Sequence, residues 1–140
     1  EILLHSWIYR NHKDIRAVVH SHSKWASILS CMRISIPSFH YMVAEFGGND
    51  IKCSKYATFG SDKLSKYVNK VLHKRKGCLI ANHGQVTIGD NLEEAVDLSI
   101  ALEKLSEQFY YLLITKQTKL LSNGEMRKIV KLFEDYKAKH

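Results

Sequence analysis

The sequence predicts one mixed α/β (α+β) domain in which short strands form a core covered by helices, and two observations carry that prediction. Two apolar stretches, Ala17-Val18-Val19 and Cys78-Leu79-Ile80-Ala81, have the length and character of buried strands, and each leads into a histidine. Around them lie segments whose apolar residues recur at helical spacing, most of them behind Ser or Asn N-cap signals. No linker, internal repeat or low-complexity run divides the chain, and 140 residues with 45% hydrophobic content suffice for one core.

In chain order, residues 1–12 read as a helix with Ile2, Leu3, Trp7 and Ile8 as apolar positions, closed by the Asn11-His12-Lys13-Asp14 turn. Residues 15–22 form the central strand. Ser23 then reads as the N-cap of a helix over 24–32, with Trp25, Ile28 and Leu29 facing inward. Ile34-Ser35-Ile36-Pro37 is a short extended piece ending at the single proline, and residues 38–46 are less regular up to Gly47-Gly48. A short strand over 51–53 and a loop over 56–60 follow. Ser61 caps a helix whose apolar line is Leu64, Tyr67, Val68, Val71 and Leu72, stopping at Gly77.

The strand over 78–81 leads to Asn82-His83-Gly84, and residues 85–88 return as its hairpin partner. Asn91 with Glu94 forms a capping box for a long helix reaching about Thr115, with Leu92, Val96, Ser99, Leu102, Ser106 and Phe109 along one face. Ser122 with Glu125 repeats that signal before a last helix carrying Met126, Ile129, Val130, Phe133 and Tyr136.

Composition narrows the functional classes. The net charge of +7 invites a nucleic-acid partner, because clustered lysine and arginine track phosphates. Here Lys63, Lys66, Lys70, Lys74, Arg75 and Lys76, then Lys128, Lys131, Lys137 and Lys139, mostly occupy polar positions of amphipathic helices. That is the pattern of solvated faces, with a few cations left for an anionic small substrate, so no nucleic-acid partner is expected. No apolar run approaches a membrane span and no signal peptide is recognisable. Cys31, Cys53 and Cys78 are odd in number and lack metal-ligand spacing, which predicts reduced thiols and a cytoplasmic setting. The chain opens without Met inside what reads as a helix, so a preceding N-terminal segment is expected.

The chemistry concentrates at His20-Ser21-His22. With a side-chain period of two along a strand, His20 and His22 share a face and lie close enough to grip one metal ion. Zinc takes three or four N, O or S ligands, so a third nitrogen and an oxygen are sought elsewhere. A lone histidine at a strand end is usually a hydrogen-bonded structural residue. A pair, followed by His83 after a second apolar strand, points to a histidine-rich metal site. His5, His12, His40, His73 and His140 have no such context and default to surface or structural roles.

Four motifs carry a resemblance. Residues 17–27 with His20-Ser21-His22, the Ile36-Pro37-Ser38-Phe39-His40-Tyr41-Met42-Val43-Ala44 run before Gly47-Gly48, the loop Tyr56-Ala57-Thr58-Phe59-Gly60, and Asn82-His83-Gly84 occur in an order and spacing similar to the class II aldolase and adducin head family. Among its branches the L-fuculose-1-phosphate aldolases are the best match. The resemblance implies a mainly antiparallel sheet flanked by helices in three layers, and zinc held by His20, His22 and His83. It also implies that Glu1 is the general acid/base and a ligand of the resting metal. From the residues alone Glu1 reads simply as a carboxylate at a helix start.

The implied reaction is cleavage of a ketose 1-phosphate, such as L-fuculose 1-phosphate, to dihydroxyacetone phosphate and an aldehyde. In it Glu1 handles the proton at the carbon next to the carbonyl, and Tyr41 acts on the aldehyde oxygen across a subunit boundary in a homotetramer. A phenol with an ordinary pKa near 10 suits that role, since it donates a proton without ionising at rest. Phe59 and Tyr136 match aromatics near the aldehyde, while their own contexts also fit a loop filler and an apolar helix position. The family's phosphate-holding turns precede Glu1 and have no counterpart here. Within the same family the alternatives are a pentulose-phosphate 4-epimerase, a sugar-phosphate dehydratase, or a non-catalytic adducin-like assembly module.

Overall fold

The structure, a computed structural model, describes residues 1–138; Lys139 and His140 lie outside the described residues. Helix α1 (Ile2–Asn11) leads to strand β1 (Ala17–Ser21) and helix α2 (Lys24–Met32). A 3-10 helix, Tyr41–Phe46, precedes α3 (Asp62–Leu72), β2 (Gly77–Ile80), β3 (Gly84–Gly89), α4 (Leu92–Thr115) and α5 (Asn123–Lys137).

The strands form one sheet in the order β1-β3-β2, with both pairings antiparallel. A single parallel bridge, Cys53 to Leu79, extends it past β2, and Ile36 pairs antiparallel with Ile51. The stretch expected as a strand at 51–53 is therefore two isolated bridges. Alternation along β3 builds two cores. Val86 and Ile88 join Cys78 and Ile80 under α1 and α3, against Leu4, Ile8, Leu64, Val68 and Leu72. On the other face Leu79 packs with Leu29 of α2, Phe46 of the 3-10 helix, Leu98 and Leu102 of α4 and Met126 of α5. The sheet is covered on both sides, which explains the continuous apolar run of β2, and the layers are helix, sheet, helix.

Three helices start as their sequences dictate. Ser61 Oγ accepts from the Leu64 N–H at 3.2 Å, Asn91 Oδ1 from the Glu94 N–H at 2.8 Å, and Ser122 Oγ from the Glu125 N–H at 3.1 Å. Elsewhere packing changes the expected faces. Ile2 is exposed while Leu4 is buried, because α1 rests on the sheet through Leu4 and Ile8. In the first turns of α4 the expected Leu92 and Val96 face outward and Ala95 and Leu98 inward, where Thr87 Oγ1 of β3 donates to the Ala95 carbonyl at 2.7 Å. Trp25 is half-buried and lies against Tyr110 and Tyr111 of α4. Among the described residues no helix is long and apolar enough to cross a membrane.

Candidate metal centre

The geometry of the site begins with the β1–β3 register. His20 pairs with Val86 and Ser21 with Gln85, so the His20 side chain shares the face of Val18 and Val86, the face that α1 covers. His22 follows immediately after the strand. Glu1 sits at the start of α1, which its packing on the sheet carries to the same edge.

His83 arrives from the opposite direction, on the turn between β2 and β3. Asn82 takes a left-handed conformation there, φ 53°, which asparagine tolerates better than most residues. Ser30, buried in α2, fastens the turn: its carbonyl accepts the Asn82 N–H at 2.9 Å and its Oγ the His83 N–H at 3.2 Å. Gly84 then lets the strands close. A Cβ at this position would overlap the Ser21 carbonyl oxygen and sit 3.1 Å from His22 Cδ2.

These segments bring the three imidazoles together with ring centroids 4.7–4.9 Å apart. His20 Nε2 lies 3.1 Å from His22 Nε2, and Glu1 Oε1 lies 3.5 and 3.8 Å from those two nitrogens. One donor atom from each of Glu1, His20, His22 and His83 falls within 4.8 Å of the others.

Hydrogen bonding fixes the state of His20. Its Nδ1 lies 2.7 Å from the Gln85 carbonyl oxygen, which only accepts, so Nδ1 carries the proton and the neutral ring turns the Nε2 lone pair toward the cluster. Burial holds the His20 imidazole below its ordinary pKa, against the opposing pull of the Gln85 carbonyl and Glu1. Burial also lowers His83, reinforced by the neighbouring imidazoles of His20 and His22. The donor set fits a zinc ion, for which Zn–N bonds of about 2.0–2.1 Å in a tetrahedron put ligand atoms roughly 3.3 Å apart.

The remaining sequence-selected residues divide. Phe59 is exposed, and its neighbour Gly60 lines a narrow cleft with Glu1, Leu4, Leu64, Ser65 and His83, so the aromatic loop borders the cluster. Tyr41 and Tyr136 do not join it. They meet instead across an apolar cavity of about 470 Å³ with Ile129, Leu132 and Phe133.

Sequence reasoning missed the supports behind the histidines. Ser23 makes no side-chain cap to α2. The Glu103 carboxylate takes that place, accepting from the Trp25 N–H at 2.8 Å, the Ala26 N–H at 2.9 Å and the Ser23 hydroxyl at 2.6 Å. The available signal was small polar residues on an otherwise apolar face of α4, Ser99 and Ser106 flanking Glu103, which marks a face buried against hydrogen-bonding partners.

This fold, with its convergent carboxylate and histidines, places the chain in a known class: it belongs to the class II aldolase and adducin N-terminal domain family, whose profile matches residues 1–110. Among named relatives, it is 39% identical over 132 residues to a 5-methylthioribulose-1-phosphate/5-deoxyribulose-1-phosphate aldolase of Rhodospirillum rubrum, covering 94% of this chain and 60% of that protein. An L-fuculose phosphate aldolase of Escherichia coli K12 is 38% identical over 133 residues, covering 94% of this chain and 62% of the relative. A solved structure of an L-fuculose 1-phosphate aldolase superposes with a TM-score of 0.90 at 29% identity, over 94% of this chain and 62% of the other. The chain thus spans about three fifths of the length of the relatives it matches.

Proposed function

We propose that the protein carrying this chain is a zinc-dependent aldolase that splits a ketose 1-phosphate into dihydroxyacetone phosphate and an aldehyde. The observation that carries this reading is the convergence of four donor atoms from Glu1, His20, His22 and His83 within 4.8 Å. Bound there, zinc supplies a Lewis-acidic charge against the negative charge that develops on the substrate's carbonyl oxygen.

The chain's own residues do the rest. The three imidazoles hold the cation: burial favours the neutral ring at His20 and His83, and the Gln85 carbonyl keeps the His20 proton on Nδ1, leaving Nε2 to face the cluster. Glu1, whose side chain is 61% exposed, remains open to substrate and moves the proton at the carbon next to the carbonyl. In the synthetic direction Tyr41 gives its phenolic proton to the aldehyde oxygen as the new C–C bond forms. Cleavage is the reverse: the tyrosinate form of Tyr41 accepts the hydroxyl proton as the C–C bond breaks, and protonated Glu1 delivers a proton to the carbon next to the carbonyl, after which both groups exchange protons with solvent. Phe59, whose loop neighbour Gly60 borders the cluster, walls the substrate.

Tyr41 and Tyr136 reach a site built by another copy of the chain in a homotetramer with active sites between subunits. Their exposure and their shared apolar cavity, lined by none of the four donor residues, support that arrangement. For the substrate, the named relatives favour 5-deoxy- and 5-methylthio-pentulose 1-phosphates and L-fuculose 1-phosphate.

The test is metal content of the full-length protein together with release of dihydroxyacetone phosphate from each of these three compounds. About one zinc per chain, with turnover lost in Glu1→Gln, is the expected result. Absence of bound metal, or full turnover in His20→Ala, refutes the proposal, and metal without cleavage of any ketose 1-phosphate refutes the aldolase assignment.

A further inference from the structure

We infer that Glu103 is a positioning residue for the metal centre: from α4, through Ser23 and Gln85, it sets the placement of His20 and His22 and thereby the metal affinity. This rests on the metal reading of the four-donor cluster and extends it to residues that donate nothing to the cation.

The network has a fixed direction. An ionised carboxylate only accepts, so both Glu103 oxygens are filled by donors: Oε1 by the Trp25 N–H, and Oε2 by the Ala26 N–H and the Ser23 hydroxyl. Having given its one proton to Glu103, Ser23 Oγ is left as an acceptor and receives the Gln85 side-chain amide at 2.8 Å. The second amide proton of Gln85 goes to the Ser99 carbonyl of α4 at 3.1 Å. Gln85 is fully buried, and its main-chain carbonyl is the acceptor that orients His20. The residue that presents His20 is thus clamped to α4 by its own side chain.

The same carboxylate fixes His22, the residue directly before Ser23. At the first turn of α2 it substitutes for the missing Ser23 cap and complements the positive end of the helix dipole. The segment from His20 to Ala26 is consequently pinned to a 24-residue helix on the opposite side of the sheet from α1. Because a single anion satisfies three donors, an amide in its place would set an N–H₂ against another donor.

The experiment is competition for Co²⁺ with a chromophoric chelator, together with the d–d absorption spectrum of the cobalt form, on wild-type protein, Glu103→Gln, Ser23→Ala and Asn91→Ala. Asn91 caps α4 and makes no contact with this network, so it reports a lost helix cap alone. The expected result is cobalt affinity about tenfold or more weaker in Glu103→Gln, with an altered d–d spectrum. A smaller loss is expected in Ser23→Ala, and wild-type affinity in Asn91→Ala despite reduced stability. Should Glu103→Gln fail to fold, Ser23→Ala decides: unchanged affinity and spectrum in a folded variant overturn the inference. Weakened binding in Asn91→Ala equal to that in Glu103→Gln also overturns it, because the effect would then follow stability. A wild-type protein that binds no cobalt refutes the metal reading itself.

Discussion

Replacing Gly84 by alanine should damage fold and site together. The added Cβ would overlap the Ser21 carbonyl oxygen, far inside the roughly 3.3 Å that a C···O contact requires. It would also press on His22, 3.1 Å from Cδ2 and 3.2 Å from Cα. The obstacle is main chain on a paired strand, which cannot rotate aside as a flexible side chain would, so the β1–β3 edge must open by about half an ångström or more. Overpacking of this kind costs typically 1–3 kcal/mol, and the backbone obstacle puts this case toward the upper end, about 2–3 kcal/mol. For a chain of this size that lowers Tm by roughly 6–12 °C. The displaced group is the strand end that aims His20 and His22, so metal affinity should fall in parallel, by about tenfold or more. Urea unfolding and cobalt titration of Gly84→Ala measure both. Wild-type stability with wild-type affinity would show that the Ser21–Gly84 approach is not what positions the histidines.

Three further outcomes follow from separate parts of the molecule. Burial raises the Glu94 carboxyl, but hydrogen bonds from Lys137, the Asp90 N–H and Lys76 outweigh it and bring it down to about 2. Its stabilisation is therefore present above the unfolded value near 4.5 and lost as pH falls from there to about 2. Glu94→Gln should be less stable than wild type by about 1 kcal/mol at neutral pH after solvent screening, with the gap closing toward pH 2 in urea titrations; a pH-independent gap contradicts it. Burial pushes the Cys53 thiol up to about 11 and the buried Cys78 higher still, whereas Cys31 is exposed. Iodoacetamide at pH 8 should alkylate Cys31 well before the other two, read by peptide mass spectrometry, and equal rates would refute that ordering. Tyr41→Phe should reduce aldol cleavage by about 100-fold or more while leaving metal content unchanged, and an unaltered rate would remove Tyr41 from the proton transfer.

What the sequence revealed follows from how far each signal reaches. The caps at Ser61, Asn91 and Ser122 act on the third N–H along, so the residues that make them are neighbours in the chain. Ser23 carries an equally good local signal, yet a carboxylate 80 residues away outcompetes it, and no window around Ser23 contains Glu103. The 3-10 helix at Tyr41–Phe46 is too short to show a period, and its His40 Nδ1 cap from the Met42 N–H, at 3.2 Å, becomes visible only in three dimensions. The first turns of α4 misled for a related reason: Leu92 and Val96 satisfy helical spacing as well as Ala95 and Leu98, and contact with Thr87 decides between them.

The site obeys the same logic. Strand period suggests the pairing of His20 with His22, although His22 falls just past β1, and a second apolar strand ending in histidine supplies His83, so the three clustered imidazoles are readable as pattern. Glu1 is not, because only the packing of α1 through Leu4 and Ile8 brings its carboxylate to that edge. What binds these parts is register. Shifting β1 by one residue against β3 would turn His20 to the face of Gln85 and Thr87, away from Glu1, and would break its Nδ1 bond to the Gln85 carbonyl. The register is held on one face by Val18, Val86 and Ile88 packing under α1 and α3, and on the other by the Gln85 and Thr87 side chains bonded to α4. Polar residues buried at 85 and 87, which cost stability in a plain core, thus specify the alignment on which the four-donor cluster depends.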